Sequence, residues 1–443
     1  MIINRRRRRI ALLSAVTLLA VAALTACRAG HTPAAAASAA GPAAPSPGEV
    51  TPSWPRPSAG APLFEFQTWV REEVRAAMKV QTEGLLTGDF TKFAIGAPPG
   101  DKALRAELRR RFRTLRALHV TRFDQRVDGQ PRALPKAGTW QVVHVVDHCF
   151  VETDCGTDET VFDSVWAQAP EGLRLVGFRQ NDGRSHCFTC ESVDSRSYNR
   201  PWETTELIAQ VGARTLVAVP PRYRNRLADL SRRAEKAAAV ADRYRIGAGE
   251  VDRYRVFVAD DAAWRRWYHH RPGAWVAGMA VATGEHRIEV ELHASELTAD
   301  FTDELLTHEL AHVATLRNDT HDSQKALWFL IEGMAEYVQQ QRPGAGDYPD
   351  RDALDHLPHR RTLRSVSVDP PADDADDRDA AGRYAVGYYA VTFLFGRYGK
   401  ERTLRFFQDV VQKGIGLDGP SRSVFGKPWA TVDKECAAYV RGL

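Results

Sequence analysis

The segment THELAHVATL, residues 307–316, places two histidines four positions apart, with a glutamate directly after the first. In a helix, residues four apart lie one turn apart on one face, so His308 and His312 project in the same direction. Two imidazoles at this spacing can bind one Zn²⁺ ion, and Glu309 beside them can take a proton from water. Such a site also needs a third protein ligand and an open position, so the fold has to bring another side chain to this helix.

A third candidate ligand is Glu332, which nineteen residues separate from His312, in the segment WFLIEGMAEYV. Glu336 follows one helical turn later on the same face. The pattern HELAH followed by EGMAEY resembles the gluzincins, the HExxH-plus-glutamate clan of zinc metallopeptidases, and most of all their compact peptidase MA-like domains. The resemblance implies that His308, His312 and Glu332 bind Zn²⁺, that Glu309 is the general base, and that Glu336 hydrogen-bonds a ligand histidine.

A tyrosine-rich segment further along, RYAVGYYAVTFLFGRYG, extends the resemblance toward the aminopeptidase-like members of the clan. Tyr384, Gly387 and Gly399 match the spacing of a tyrosine and two glycines in those proteins. The resemblance implies that Tyr384 donates a hydrogen bond to the oxyanion of the tetrahedral intermediate. Tyr388 and Tyr389 are close neighbours that could take this role instead.

Three segments bear on the specificity that the resemblance leaves open. A metzincin would need glycine and histidine at positions where this chain has Thr315 and Asn318. Aminopeptidases of the gluzincin clan carry a glutamate that captures the substrate amine, but VAGMAVATG has Ala280 at that place. The alternating segment HRIEVELHA, residues 286–294, is expected to be an edge strand that can pair with an extended peptide. The first two features disfavour a metzincin and an aminopeptidase.

The hydrophobic period changes along the chain, which predicts an α+β fold. Two helical segments precede four alternating segments, and this order predicts two helices packed on a curved antiparallel meander. The order of elements at residues 63–194 weakly resembles the NTF2-like superfamily. The strands and helices of residues 201–443 are predicted to form the peptidase MA-like domain, whose C-terminal part is mostly helical.

The N-terminus has the layout of an export signal, because five arginines precede an apolar run that ends at Cys27. The ending LTAC resembles the bacterial lipobox, which implies a signal peptide at residues 1–26 and diacylation of Cys27. We therefore expect a location outside the cytoplasm, with a lipid anchor in the cell membrane. Residues 27–62 are rich in alanine, proline, glycine and serine, a composition that cannot bury a core and predicts a disordered linker.

Four of the six cysteines cluster as two pairs, Cys149 with Cys155 and Cys187 with Cys190. In an exported protein such a cluster indicates disulfides, although paired cysteines with a CxxC spacing are also typical of a structural metal site. The sequence does not choose among the pairings. Cys436 is left over and is predicted to be a buried thiol in a C-terminal helix.

The charge balance disfavours a nucleic-acid partner. Without the five leader arginines the chain has 55 basic residues against 56 acidic ones, and it has no sustained basic patch with interleaved aromatics. The sequence thus predicts a membrane-anchored zinc metallopeptidase that acts on a peptide or protein substrate. Two alternatives stay open: a hydrolase of cell-wall peptides, and a non-catalytic binding or structural lipoprotein that keeps a peptidase-like scaffold.

Overall fold

The computed structural model describes nine stretches of the chain, namely residues 54–155, 159–179, 199–247, 253–267, 275–284, 287–316, 326–340, 348–357 and 360–443. The predicted signal peptide, Cys27, residues 27–53 of the predicted linker, Cys187 and Cys190 lie outside these stretches and stay predictions. All described residues belong to one of the two units into which contacts divide the chain, the unit that includes Pro52–Leu443. No helix in the described part is long and apolar enough to cross a membrane.

The first part of the chain folds as two long helices against an antiparallel meander, as predicted. Helix α1 ends where Gly88 adopts a left-handed conformation, and α3 begins where the Asp101 carboxylate accepts a hydrogen bond from the Leu104 amide. The helices are α1 (Leu63–Thr87), α2 (Phe90–Phe93) and α3 (Lys102–Ala117). The strands pair in the order β1 (Val120–Ala133), β2 (Thr139–Phe150), β3 (Glu159–Ala169) and β4 (Gly172–Arg179).

A disulfide joins Cys149, near the end of β2, to Cys155 in the loop that follows, with 5.8 Å between their Cα atoms. This bond supports the disulfide alternative for this pair. Cys436 is a buried free thiol, as predicted, and lies in the last helix of the chain.

The second part of the chain contains a mixed five-stranded sheet in the order β5-β6-β7-β9-β8. Strands β6, β7 and β9 run parallel, whereas β5 and β8 pair antiparallel at the two ends. The short helix α4 (Pro201–Thr204) precedes this sheet. The strands are β5 (Ile208–Val211), β6 (Thr215–Val219), β7 (Tyr254–Ala259), β8 (Gly278–Gly284) and β9 (Arg287–His293), and the helices between them are α5 (Arg224–Ala241) and α6 (Asp261–Trp267).

The prediction that HRIEVELHA forms an edge strand is wrong. This segment is β9, which lies between β7 and β8, so that in the described residues β8 is the edge strand next to it. The segment does form a strand, as its alternation of charged and apolar residues predicts, but it does not lie at an edge. Both faces of β9 are in fact buried: Leu292 belongs to the apolar core, and Glu289 lies 3.3 Å from Arg255 on the neighbouring strand.

The C-terminal part is helical, which confirms the predicted α+β class. Helix α7 packs against α5 and the sheet on one side and against α8 on the other, and α8 packs against α9. Gly333 in α8 and Gly387 in α9 permit the contact between these two helices. A Cβ atom on Gly387 would lie 2.6 Å from the carbonyl oxygen of Phe329 in α8. The helices are α7 (Thr302–Leu316), α8 (Trp328–Gln339), α9 (Asp377–Tyr398), α10 (Lys400–Phe407), α11 (Asp418–Phe425) and α12 (Trp429–Gly442).

The two sheets are connected by buried polar contacts near α4. The guanidinium of Arg200 donates to the carbonyl oxygen of Thr283 in β8 at 2.6 Å and to the hydroxyl of Thr160 in β3 at 3.2 Å. One apolar cluster also contains residues from both parts, including Phe123 and Trp202, whose rings are 6.0 Å apart. The division into domains at residues 63–194 and 201–443 stays a prediction.

Candidate metal centre

Helix α7 presents apolar side chains to the sheet and its two histidines to α8. Leu306, Leu310 and Val313 belong to the core that covers the sheet, at the spacing of a helix face. His308 and His312 project from another side of the same helix, with 4.8 Å between their ring centroids. The local pattern of the sequence therefore places both imidazoles, as predicted.

Helix α8 brings Glu332 to these imidazoles. The Oε2 atom of Glu332 lies 3.2 Å from Nε2 of His308 and 3.4 Å from Nε2 of His312. The two Nε2 atoms are 3.1 Å apart. The predicted third ligand thus meets the first two, although nineteen residues separate it from His312 in the chain.

The geometry of these three atoms fits a tetrahedral zinc ion. Ligand atoms at about 2.0–2.1 Å from a tetrahedral centre are about 3.3 Å from one another. The three observed separations, 3.1, 3.2 and 3.4 Å, agree with that value. Among the described residues, three ligand atoms converge here, and three protein ligands with a fourth corner for a water molecule or a substrate are the arrangement of a catalytic zinc site rather than a structural one.

The donor set also fits a cation on chemical grounds. His308, His312 and Glu332 are all at least nine-tenths buried, and a buried carboxylate is costly unless a positive charge or hydrogen bonds compensate it. Two imidazoles and one carboxylate are a ligand combination that suits Zn²⁺. Among the described residues, this is the group of histidine, cysteine and acidic side chains whose ligand atoms converge closely enough to hold a metal ion.

Glu336, one turn after Glu332 in α8, contacts the outer side of His308. Its Oε1 atom lies 3.2 Å from Nδ1 of His308, the ring nitrogen that faces away from the ligand cluster. The hydroxyl of Tyr348 donates a hydrogen bond of 2.8 Å to Oε2 of the same carboxylate. Glu336 has the place that the resemblance implied, whereas sequence reasoning missed Tyr348, because no helical spacing relates it to Glu336.

Glu309 is buried on α7 between the two histidines and faces the edge strand β8. A Cβ atom on Gly278 would lie 2.9 Å from Oε1 of Glu309, so only glycine leaves room for the carboxylate in its present position. The aminopeptidase motif draws attention to Ala280, two positions later, and not to Gly278. Gly278 is the one glycine within VAGMAV, and a single glycine inside a strand is a signal of a close approach by a neighbouring group.

Helix α9 places Tyr384 beside the ligand cluster, with its ring centroid 6.3 Å from that of His308 and 4.9 Å from the ring of Trp328. Burial raises the pKa of Tyr384 well above its ordinary value, and the carboxylates of Glu332 and Glu336 raise it further. The phenol therefore keeps its proton at neutral pH and can act as a hydrogen-bond donor.

The alternative tyrosines lie further along the same helix. Tyr388, one turn after Tyr384, stacks on Tyr348 with 4.2 Å between the ring centroids. Tyr389 packs edge-on against Tyr348 at 5.8 Å. Of the three tyrosines that the sequence offered, Tyr384 is therefore the one whose ring is seen in contact range of a candidate ligand histidine.

Comparisons with known proteins add little to this geometry. No protein-family model matches the chain, and no curated protein matches its sequence. Among solved structures, the chain is similar to native yeast LTA4 hydrolase at 12% identity and a TM-score of 0.35, over 72% of this chain and 66% of that one. A second structure, of native leukotriene A4 hydrolase from Saccharomyces cerevisiae, matches at 14% identity and a TM-score of 0.34, over 71% and 68%.

A third structure, yeast LTA4 hydrolase in complex with bestatin, matches at 14% identity and a TM-score of 0.31, over 70% of this chain and 60% of that one. The chain thus spans about two thirds of the length of these hydrolases. At identities and TM-scores this low, the similarity supports no argument about function.

Proposed function

We propose that this protein is a zinc-dependent peptidase whose metal ligands are His308, His312 and Glu332. The observation that carries the proposal is the convergence of three ligand atoms at tetrahedral separations of 3.1 to 3.4 Å, with Glu309 on the same helix as the histidines. When bound, a zinc ion lowers the pKa of a coordinated water molecule and polarises a carbonyl group.

The chain's own residues supply the rest of the chemistry. Glu309 accepts the proton of the attacking water and can return it to the leaving amine, which is the usual function of a carboxylate in this position. Tyr384 keeps its phenolic proton and donates a hydrogen bond to the carbonyl oxygen as negative charge develops there. Glu336 orients the ring of His308 from the other side.

The proposed substrate is a peptide segment bound in an extended conformation along β8. An edge strand offers unpaired backbone groups that an extended peptide can use, and β8 passes directly beside Glu309 at Gly278. Ala280 supplies no carboxylate for a free substrate amine, so we propose cleavage that does not depend on an N-terminal amine. A cell-wall peptide would satisfy the same requirements and is the second candidate substrate.

We further propose that the enzyme works outside the cytoplasm, held to the cell membrane through a lipid on Cys27. This part rests on the sequence of the leader alone, since these residues lie outside the described structure. A binding or structural lipoprotein with the same scaffold is the alternative from another class, and the intact set of ligands and base disfavours it.

The decisive experiment combines metal analysis with peptide-library cleavage for the wild type and for Glu309→Gln. We expect one zinc per chain in both proteins, and a loss of cleavage of at least about 10³-fold in the variant, because the general base is removed. Glu304→Gln, on the first turn of the same helix, is the matched control and should cleave normally. Stoichiometric zinc without any Glu309-dependent cleavage would instead favour the binding protein.

A further inference from the structure

The carboxylate of Glu336 is held from two sides. One oxygen lies 3.2 Å from Nδ1 of His308, and the other accepts a hydrogen bond of 2.8 Å from the hydroxyl of Tyr348. His308 and Glu336 lie on two packed helices, whereas Tyr348 follows α8 in a segment outside any regular element. A contact chain therefore runs from Tyr348 through Glu336 to a candidate metal ligand.

Tyr348 is itself fixed by its surroundings. Its side chain is buried, its ring stacks on Tyr388 at 4.2 Å with an interplanar angle of 15°, and Tyr389 closes on its edge at 5.8 Å. Both of these partners belong to α9, the helix that also carries Tyr384. The hydroxyl of Tyr348 is thereby held toward Glu336, because a displacement of the ring would break both aromatic contacts.

We propose that Tyr348 is a positioning residue for the metal centre, which acts on His308 through Glu336. The inference rests on the proposed zinc site. A carboxylate has two oxygens, and the donor on one of them determines how the other is presented to the imidazole. With the hydroxyl of Tyr348 in place, Glu336 presents Oε1 to His308, and the imidazole directs Nε2 toward the other ligand atoms.

Tyr348 is thus part of the surroundings of the candidate metal centre, although it is not one of the three candidate ligands. Removing the hydroxyl leaves the stacked ring in place, so the change acts on the hydrogen bond and not on the packing. Hydrogen bonds to charged groups are among the stronger ones, and loss of an outer partner of a ligand histidine usually weakens metal binding about 10- to 100-fold.

The first measurement is the zinc affinity of the full chain by chelator competition, for the wild type, Tyr348→Phe and Tyr388→Phe. We expect Tyr348→Phe to weaken zinc binding by about tenfold, at the lower end of the range for outer partners of ligand histidines. Tyr388→Phe keeps the stacked ring and the hydroxyl of Tyr348, and should bind zinc within about twofold of the wild type. Replacement of zinc by Co²⁺ gives a visible spectrum, which should change only in Tyr348→Phe.

The second measurement is a double-mutant cycle with Glu336→Ala. If Tyr348 acts through Glu336, Tyr348→Phe should change zinc affinity less than about twofold once Glu336 is absent. A zinc affinity of Tyr348→Phe equal to the wild type would overturn the proposal, and so would an equal loss in both backgrounds. The proposed function fails in a different way, namely if the wild type itself binds no zinc.

Discussion

Glu309 and Glu332 have the same side chain, and their surroundings give them different chemistry. Glu332 points from α8 into the pair of imidazoles, with one oxygen 3.2 Å from His308 and 3.4 Å from His312. Glu309 lies on α7 and faces the backbone of β8 at Gly278. A carboxylate in contact with two imidazoles is suited to bind a cation, and one that faces an edge strand is suited to exchange a proton with a bound peptide.

Tyr384 gives the clearest prediction at the residue scale. The change Tyr384→Phe removes a donor whose pKa is raised by burial and by nearby carboxylates, while it keeps the ring between His308 and Trp328. Loss of one oxyanion donor typically costs about 10²–10³ in kcat. Peptide-cleavage kinetics and metal analysis should therefore show that kcat falls by this factor while KM and zinc content stay close to the wild type.

Tyr388→Phe is the control for this prediction, because Tyr388 stacks on Tyr348 and not on a candidate ligand. Its kcat should stay within about threefold of the wild type if Tyr384 supplies the oxyanion donor. A large loss in Tyr388→Phe together with normal activity in Tyr384→Phe would reverse the assignment.

At the element scale, the site depends on how closely α8 approaches α9. Gly333 and Gly387 face one another across this contact, and a Cβ atom on Gly387 would lie 2.6 Å from the carbonyl oxygen of Phe329. Because the obstacle is backbone, it cannot move aside as a flexible side chain would. Glu332 is next to Gly333, and Tyr384 lies one turn before Gly387, so the same contact sets the distance between the candidate ligand Glu332 and the proposed oxyanion donor Tyr384.

This contact predicts that Gly387→Ala destabilises the protein and weakens zinc binding. Overpacking of a tight contact costs about 1–3 kcal/mol, and the helices would have to separate to admit the methyl group. Urea denaturation of the zinc-free protein measures the first effect, and chelator competition measures the second. The matched control is Gly396→Ala in the same helix, where a Cβ atom meets nothing within 4 Å.

For Gly396→Ala the expected sign is opposite, since alanine is favoured over glycine in an exposed helix by about 1 kcal/mol. If Gly396→Ala loses as much stability as Gly387→Ala, the loss reflects a general sensitivity of α9 to alanine in place of glycine, and not the contact with α8. Normal stability and zinc affinity in Gly387→Ala would contradict the close approach of the two helices.

At the scale of the whole molecule, α4 lies where the two sheets meet, and it carries a buried acid. Glu203 accepts a hydrogen bond from the Arg200 amide at 2.9 Å, and Trp202 next to it packs in the apolar cluster shared by both parts. Burial raises the pKa of Glu203 to about 7, even though the nearby cations Arg111 and Arg200 lower it. The junction therefore contains a carboxyl that titrates near neutral pH.

The stability of the folded chain should fall between pH 4.5 and pH 7 because of this carboxyl. In that range the folded state binds more protons at Glu203 than the unfolded state, whose pKa is about 4.5, so the free energy of unfolding decreases as the pH rises. The full effect is about 3 kcal/mol, at 1.36 kcal/mol per pKa unit, and the stability levels off about one pH unit above the folded-state pKa.

Denaturant unfolding at pH 5 and pH 8 tests this expectation. The variant Glu203→Gln should lose most of the decrease in stability between the two pH values, because its amide carries no titratable proton. Glu206→Gln, three residues further on and with its side chain 43% exposed, is the control and should keep the wild-type pH profile. An unchanged profile in Glu203→Gln would assign the pH dependence to other groups.

Much of the architecture is encoded locally and could be predicted. The helical spacing of α7 predicted the pair of imidazoles, and the alternating segments predicted the meander of β1 to β4 in the observed order. Glu332 and Glu336 were predicted because a motif at a known spacing resembles a peptidase clan. These features depend on periodicity over a few turns, which residue type and position alone determine.

Other features depend on which elements meet, and the tertiary structure alone decided them. The segment of β9 was predicted to be an edge strand, but β9 lies between β7 and β8, and its Glu289 pairs with Arg255 of β7 in the interior. Tyr348 lies twelve positions after Glu336, beyond the end of α8, and Gly278 matters because α7 packs against its strand. The sequence by itself determined which residues are candidate ligands and which helices carry them. Packing between segments that are distant in the chain decides the separations of the candidate ligand atoms, the position of β8 at the edge and the hydrogen bond from Tyr348 to Glu336. No local sequence pattern encodes this packing.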